Sequence, residues 1–265
     1  MNEPEFLQLI GKAENWEIEK EKLVQTRDYR GYKLQEYLKK QPPLSKIQKE
    51  ILIGSLLGDG CLRKTSVSGL ANAYFKYDQM FSHSSLVYLV YLVFQNITGT
   101  PPSIRYKDFE VDSKTLKKHS CSFRTYRLPV LTHYYNQFYQ SDSLGNLRKR
   151  VPIQIKDWLT PIGLAFWFME DGSTESSGLY FHTQGFQLND VELLRQVLNE
   201  KFGLQTSLIT EKRAEKKYYR IYVKAESTPI LTELIKPYII ECFKYKLGFV
   251  GRDIPNQPLL NEGVD

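Results

Sequence analysis

One plan appears twice in this chain. Leu52-Ile53-Gly54-Ser55-Leu56-Leu57-Gly58-Asp59-Gly60 is an apolar run that closes on a carboxylate between two glycines. Leu164-Ala165-Phe166-Trp167-Phe168-Met169-Glu170-Asp171-Gly172 repeats it, with Asp59 and Asp171 112 residues apart. Both runs carry helix start signals. Ser45 with Gln48 has the capping-box spacing, and Thr160-Pro161 supplies a capping hydroxyl followed by a proline at the first helical position. The glycine after each aspartate reads as a stop that reaches left-handed dihedrals without steric cost, which predicts each aspartate in a last turn. That end of a helix carries negative partial charge and unpaired carbonyls, so it disfavours an anion unless a cation is bound. A hard divalent ion takes carboxylate and carbonyl oxygens together. One such run reads equally well as a helix stop leading into a turn; two with the same ending point to a paired site.

Composition narrows the partners. With 265 residues and 42% hydrophobic content the chain can bury a proper core. Its 36 Lys+Arg against 30 Asp+Glu give a net charge of +6, which fits a polyanionic partner. Cys61, Cys121 and Cys242 are too scattered for a disulfide framework or a zinc site, so a reducing compartment is expected. His83, His119, His133 and His182 show no metal-binding spacing. The longest apolar run, Leu86 to Phe94, is too short to cross a bilayer, and the acidic amino terminus is unlike a signal or transit peptide.

Taken in order, residues 1–44 read as a charged helical extension anchored by Trp16, Ile18, Leu23 and Val24, with Lys39 and Lys40 available as an additional DNA clamp. Residues 45–150 and 151–247 read as two repeats, and 248–265 as a tail. In the first repeat, 61–66 and 73–78 form a hairpin with Ala73, Phe75 and Tyr77 on one face; 85–96 is a helix; 104–107 and 120–128 are strands; 130–139 is a helix; and 142–150 is a basic linker. The second repeat follows with strands at 179–183, 205–210 and 218–224 and helices at 190–202 and 229–239. Each half is thus an α+β unit, helix-hairpin-helix-hairpin-helix, with a sheet covered by helices on one face. The alternation puts Arg63, Lys76, Arg124, Arg220, Tyr222 and Lys224 on the open faces. Arg105, Lys107, Lys212, Arg213, Lys216 and Lys217 lie along rims and loops. A basic face in both halves suits a duplex, whose near two-fold symmetry matches a duplicated chain.

The two motifs, with Lys149-Arg150-Val151-Pro152 and Tyr245-Lys246-Leu247, resemble the LAGLIDADG homing endonucleases in their single-chain, two-repeat form, over about residues 45–247. The resemblance implies two pseudo-symmetric αββαββα repeats forming a saddle of antiparallel sheets. The motif helices would pack side by side and bring Asp59 and Asp171 over the scissile phosphates. Gly54 and Gly58 permit close approach on the first helix; on the second, Gly163 and Ala165 remain beside the bulky Phe166 and Trp167, so large residues of one helix are expected over glycines of the other. By the same resemblance Asp59 and Asp171 bind magnesium, with the carbonyls of Gly58 and Glu170 as further oxygens; the Glu170 side chain is expected to support the metal ligands from behind, with an extra carboxylate on the metal as the alternative. Lys149 and Lys246 would order water and stabilise developing charge, and Gln79 and Gln184 would supply a polar group near each centre.

The expected function is cleavage of both strands of a long, asymmetric DNA target by a monomer encoded within an intron, in an organelle genome. An RNA-binding intron maturase of the same fold is the alternative, with host intron RNA as partner. A DNA-binding regulator without cleavage is a third reading, disfavoured because binding alone does not require both aspartates and both lysines.

Overall fold

The computed structural model describes residues 2–15, 29–65, 71–111, 114–117, 119–142, 144–175, 178–214 and 216–248. Its first two helices, α1 (Glu3–Glu14) and α2 (Gly31–Lys39), belong to the amino-terminal extension. The motif helices are α3 (Lys46–Leu57) and α7 (Pro161–Asp171). Between them lie β1 (Cys61–Arg63), β2 (Tyr74–Met80), α4 (Ser84–Phe94), β3 (Ser103–Arg105), the hairpin β4 (Asp108–Val111) and β5 (Lys114–Lys117), and β6 (Ser120–Arg124). There follow α5 (Pro129–Phe138), the hairpin β7 (Tyr139–Ser141) and β8 (Leu147–Lys149), and α6 (Ile155–Trp158). After α7 come β9 (Gly172–Glu175), β10 (Gly178–His182), α8 (Leu188–Phe202), β11 (Thr206–Arg213), β12 (Lys216–Val223) and α9 (Thr228–Ile235), with a 3-10 segment at Glu241–Leu247.

Two antiparallel four-stranded sheets share one plan. The order β1-β2-β6-β3 in the first recurs as β9-β10-β12-β11 in the second. In each, the face toward the helices is apolar: Phe75, Tyr77 and Phe123 in one sheet, and Leu179, Phe181, Ile221 and Val223 in the other, are buried. The duplication therefore extends from the motifs to the whole sheet topology.

The start signals act as their chemistry dictates. Ser45 and Gln48 exchange both capping hydrogen bonds, and the Thr160 hydroxyl accepts from the Gly163 amide. The stop signals work differently from expectation. Neither Gly60 nor Gly172 has a positive φ. What excludes a side chain is crowding: a Cβ on Gly172 would lie 2.3 Å from a ring carbon of Phe168, and one on Gly60 would lie 2.8 Å from Ser55 Cβ. Asp171 is the last residue of α7, but Asp59 lies just beyond α3, after its cap Gly58.

The motif helices make the most extensive helix–helix contact among the described residues. They meet glycine to glycine, since a Cβ on Gly54 would sit 2.1 Å from the Gly163 carbonyl oxygen. The expected arrangement of large residues over glycines is replaced at this crossing because Phe166 and Trp167 turn away from it. Phe166 packs against Phe6 of α1 with ring centroids 6.2 Å apart, and Trp167 stacks on Phe181 at 4.1 Å.

Three further departures have local causes. The stretch expected as a basic linker is the β7–β8 hairpin, in which Tyr139 pairs with Lys149. Pairing strand β9 starts directly after the second motif, without a loop. The expected anchors Trp16, Ile18, Leu23 and Val24 lie outside the described residues; among those described, Phe6 and Ala13 anchor the extension.

The seam makes a stability prediction. Gly54→Ala should lower unfolding free energy by about 3 kcal/mol or more in urea titration, because backbone cannot yield as a side chain does. Gly185→Ala, at a position with nothing within 4 Å of the added carbon, should stay within about 0.5 kcal/mol of wild type.

Candidate active site

The seam ends where the two aspartates lie. Asp59 is exposed and Asp171 half-buried, and their charges interact: Asp171 is pushed up to about 7, first by burial and then by Asp59, with Lys149 and Lys246 opposing. Gln79, buried on the inner side of β2, donates to Asp59 Oδ2 at 2.9 Å. The tip of β2 thus orients the first carboxylate.

Each motif end carries one lysine on its carbonyls. Lys149 Nζ donates to the carbonyl oxygens of Gly58 and Gly60 at 2.9 and 3.0 Å. Lys246 Nζ donates to that of Met169 at 2.6 Å, with Glu170 O at 3.5 Å, and the Thr174 hydroxyl holds the Lys246 carbonyl. Ammonium groups at helix C-termini complement the negative end of the peptide dipoles. Burial lowers both lysine pKa values, and the neighbouring carboxylates counter it. The β7–β8 hairpin exists at this spot to carry Lys149, just as the 3-10 segment carries Lys246.

Glu170 is the point of asymmetry. Its carboxyl crosses the seam, where Oε2 accepts from the Asp59 amide at 2.6 Å and Oε1 from the Tyr77 hydroxyl at 2.8 Å. Burial, then the Asp59 charge, pushes Glu170 up to about 8. Sequence reasoning did not single out Tyr77 or His83. The alternation that puts Tyr77 beside Gln79 on one face was a usable signal for Tyr77. His83 packs at 4.6 Å on Phe243 with the rings tilted and feels both Asp59 and Lys246, its pKa lowered mainly by burial; no spacing pattern marks it.

Gln184 contacts His182, with Nε2 to Nδ1 at 3.4 Å. Register explains the difference. Extended by one residue, the Cys61–Lys76 register sets Gly60 level with Tyr77 as Gly172 pairs with Phe181, so the position corresponding to Gln79 is Thr183. Thr183 is buried and donates to the Tyr219 carbonyl.

On the outer faces, Arg63, Lys76, Arg105 and Arg124 line one groove of the first sheet. Lys76 is paired with Asp78 at 2.8 Å, whereas Arg63, Arg105 and Arg124 carry no acidic partner among the described residues. Lys107 is exposed just beyond β3. The second sheet is more self-satisfied: Arg220 lies 2.6 Å from both Glu175 and Glu211 and over the Tyr180 ring, and Tyr222 packs on Tyr180 at 5.0 Å. Lys224 is half-buried at the end of β12.

The donor set fits divalent cations. The Asp59 charge adds to the cost of ionising Asp171, and carbonyl oxygens adjoin both. Among the described residues no three His, Cys, Asp or Glu side chains form a metal-binding group, so water or a phosphate would complete the coordination.

Comparison with known proteins gives a consistent family. Residues 49–231 match the model of the LAGLIDADG DNA endonuclease family. The cytochrome b mRNA maturase bI2 of Saccharomyces cerevisiae is 31% identical over 208 residues, 78% of this chain but 48% of that protein. The chain therefore spans about half the length of that relative. A probable intron-encoded endonuclease 1 of Wickerhamomyces canadensis is 29% identical over 224 residues, 82% of this chain and 90% of that protein. Among solved structures, the homing endonuclease I-WcaI bound to its DNA recognition sequence superposes with a TM-score of 0.70 at 25% identity, covering 86% of this chain and 97% of that one.

The two raised carboxyls set a pH dependence. Unfolded, these groups ionise near 4; folded, Asp171 holds its proton to about 7 and Glu170 to about 8. Across that window the folded state binds more protons, so stability falls as pH rises. Denaturant titrations in a chelator between pH 4.5 and 8 should show this decline, with Asp171→Asn flattening it. A stability that rises over that range contradicts the assignment.

Proposed function

We propose that the chain, which belongs to the LAGLIDADG DNA endonuclease family, is a site-specific endonuclease that hydrolyses one phosphodiester in each strand of a duplex, with magnesium as the divalent ion. The observation that carries this reading is the convergence of both motif ends, Asp59 with Lys149 and Asp171 with Lys246, at the end of a single helix seam. Residues 45–150 and 151–247 would each serve one half-site, so that a monomer supplies the two-fold arrangement. The name of the Wickerhamomyces relative supports an intron origin, and an organelle genome is the proposed location.

In this reading Asp59 and Asp171 hold the cations, with the Gly58 and Glu170 carbonyls nearby. Bound cations would activate the attacking water and neutralise charge on both reacting oxygens. Gln79 keeps the Asp59 carboxylate aimed into the site. Lys149 and Lys246 place positive charge where the pentavalent phosphate gathers negative charge, and because they are already fixed by carbonyls they need little reorganisation. Arg63, Arg105 and Arg124 can engage phosphates or base edges of one half-site. Arg220, held by two acids, is pre-set to meet the other half-site through a polar network of Arg220, Glu175 and Glu211.

A maturase role is the second reading, favoured by the similarity to the yeast maturase. It calls for the same fold, and intact carboxylates leave it open.

The test is incubation with a randomised duplex library and magnesium, followed by sequencing of cut ends. Wild type should cut one long sequence family in both strands, and Asp59→Asn with Asp171→Asn should reduce the rate by at least about a thousandfold, the scale of a lost charge-stabilising group. Absence of cutting by wild type, or undiminished cutting by the double variant, overturns the reading.

A further inference from the structure

Both oxygens of the Glu170 side chain are occupied by protein donors, and all of those donors belong to the first repeat. Oε2 accepts from the Asp59 amide at 2.6 Å and lies 3.4 Å from the Gly60 amide, while Oε1 accepts from the Tyr77 hydroxyl at 2.8 Å. The Asp59 amide and the Tyr77 hydroxyl each take a lone-pair direction of these oxygens, which turns the carboxyl toward protein donors and leaves fewer directions for a cation. Gly58 makes the contact sterically feasible, for a Cβ there would lie 2.5 Å from Oε2 and 2.7 Å from the Glu170 Cβ.

This arrangement occurs once. At the corresponding positions of the other repeat, Gly58 stands where Glu170 does, and Phe181, which has no hydroxyl, stands where Tyr77 does. Tyr77 is wholly buried, and among the described residues its hydroxyl has Glu170 as its hydrogen-bond acceptor. A buried phenol placed against a carboxyl at one side of a duplicated seam fixes the direction of that carboxyl. Asp59, unlike Asp171, sits outside its helix; the Gly58 and Gly60 amides beside it return to the Gly54 and Ser55 carbonyls, and the Asp59 amide between them goes to Glu170.

We propose that the Glu170 side chain, oriented by Tyr77, is a positioning residue that fixes the Asp59 backbone from across the repeat interface, rather than a metal ligand. It adds to the two-aspartate reading of the site and rests on it. The carboxylate of Asp59 is thereby held at both ends, by Gln79 at its oxygen and by Glu170 at its amide. The second aspartate takes its position from α7 itself.

Three variants separate this role from coordination: Glu170→Ala, Glu170→Gln and Tyr77→Phe. Glutamine keeps an oxygen acceptor for the Asp59 amide but cannot ionise. In metal-free protein, hydrogen exchange at the Asp59 amide should quicken at least tenfold in Glu170→Ala, less in Tyr77→Phe, and stay near the wild-type rate in Glu170→Gln, while the Gly60 amide, which donates to the Ser55 carbonyl at 2.8 Å, should change little. Manganese affinity, read by electron paramagnetic resonance without DNA, should fall no more than threefold in Glu170→Gln. In cleavage assays Glu170→Gln should recover most of what Glu170→Ala loses. Unchanged exchange in Glu170→Ala overturns the proposal, as does a tenfold or greater loss of manganese affinity in Glu170→Gln. If wild type cuts no duplex, the nuclease reading fails, while the exchange and manganese measurements still decide the role of Glu170.

Discussion

The contact between Gly54 and Gly163 is the constraint on which the rest of the molecule depends. A Cβ on Gly54 would lie 2.1 Å from the Gly163 carbonyl oxygen, and one on Gly163 would lie 3.0 Å from that of Glu50, so the backbones of the motif helices approach closely only with glycine at position 54, and that approach brings the two helix ends together. From it follows the shape of the site: two aspartates with mutually unfavourable charges, each next to carbonyl oxygens and a lysine. The bulk that the seam cannot accept is moved outward. Phe166 seats the amino-terminal helix through Phe6, and Trp167 seats the second sheet through Phe181.

Duplication supplies the frame and substitution breaks its symmetry. The sheets keep one strand order, yet the outer face of the first presents arginines without acidic partners among the described residues, while the second holds Arg220 between Glu175 and Glu211. The same divergence appears at the centre, where Glu170 and Tyr77 face Gly58 and Phe181 across the pseudo-two-fold relation. On the endonuclease reading proposed above, this divergence suits an asymmetric target, because each half offers different groups to the groove.

Much of this was legible because local chemistry decides it. The Ser45–Gln48 box, the Thr160 cap and the alternation of Ala73, Phe75 and Tyr77 follow from hydrogen-bonding and period alone. What escaped is tertiary. Gly60 and Gly172 looked like conformational stops, but their reason is crowding by Ser55 and Phe168, which only the packed structure shows. The 142–150 stretch looked like a linker because its charges hide a strand whose purpose is to place Lys149. The resemblance points to Gln184 as the polar group of the second repeat, whereas sheet register makes Thr183 the counterpart of Gln79. The reach of Glu170 across the seam depends on Gly58 and Tyr77, which lie far from it in sequence.

The central claim is that one seam joins two motif ends into one cation site. Anomalous diffraction from crystals soaked in manganese chloride measures this directly, without knowledge of the target sequence. The account predicts density bounded by the carboxylates of both Asp59 and Asp171, with the Glu170 carboxyl still on the Asp59 amide. Manganese bound by one motif alone, or coordinated by the Glu170 side chain, would contradict it.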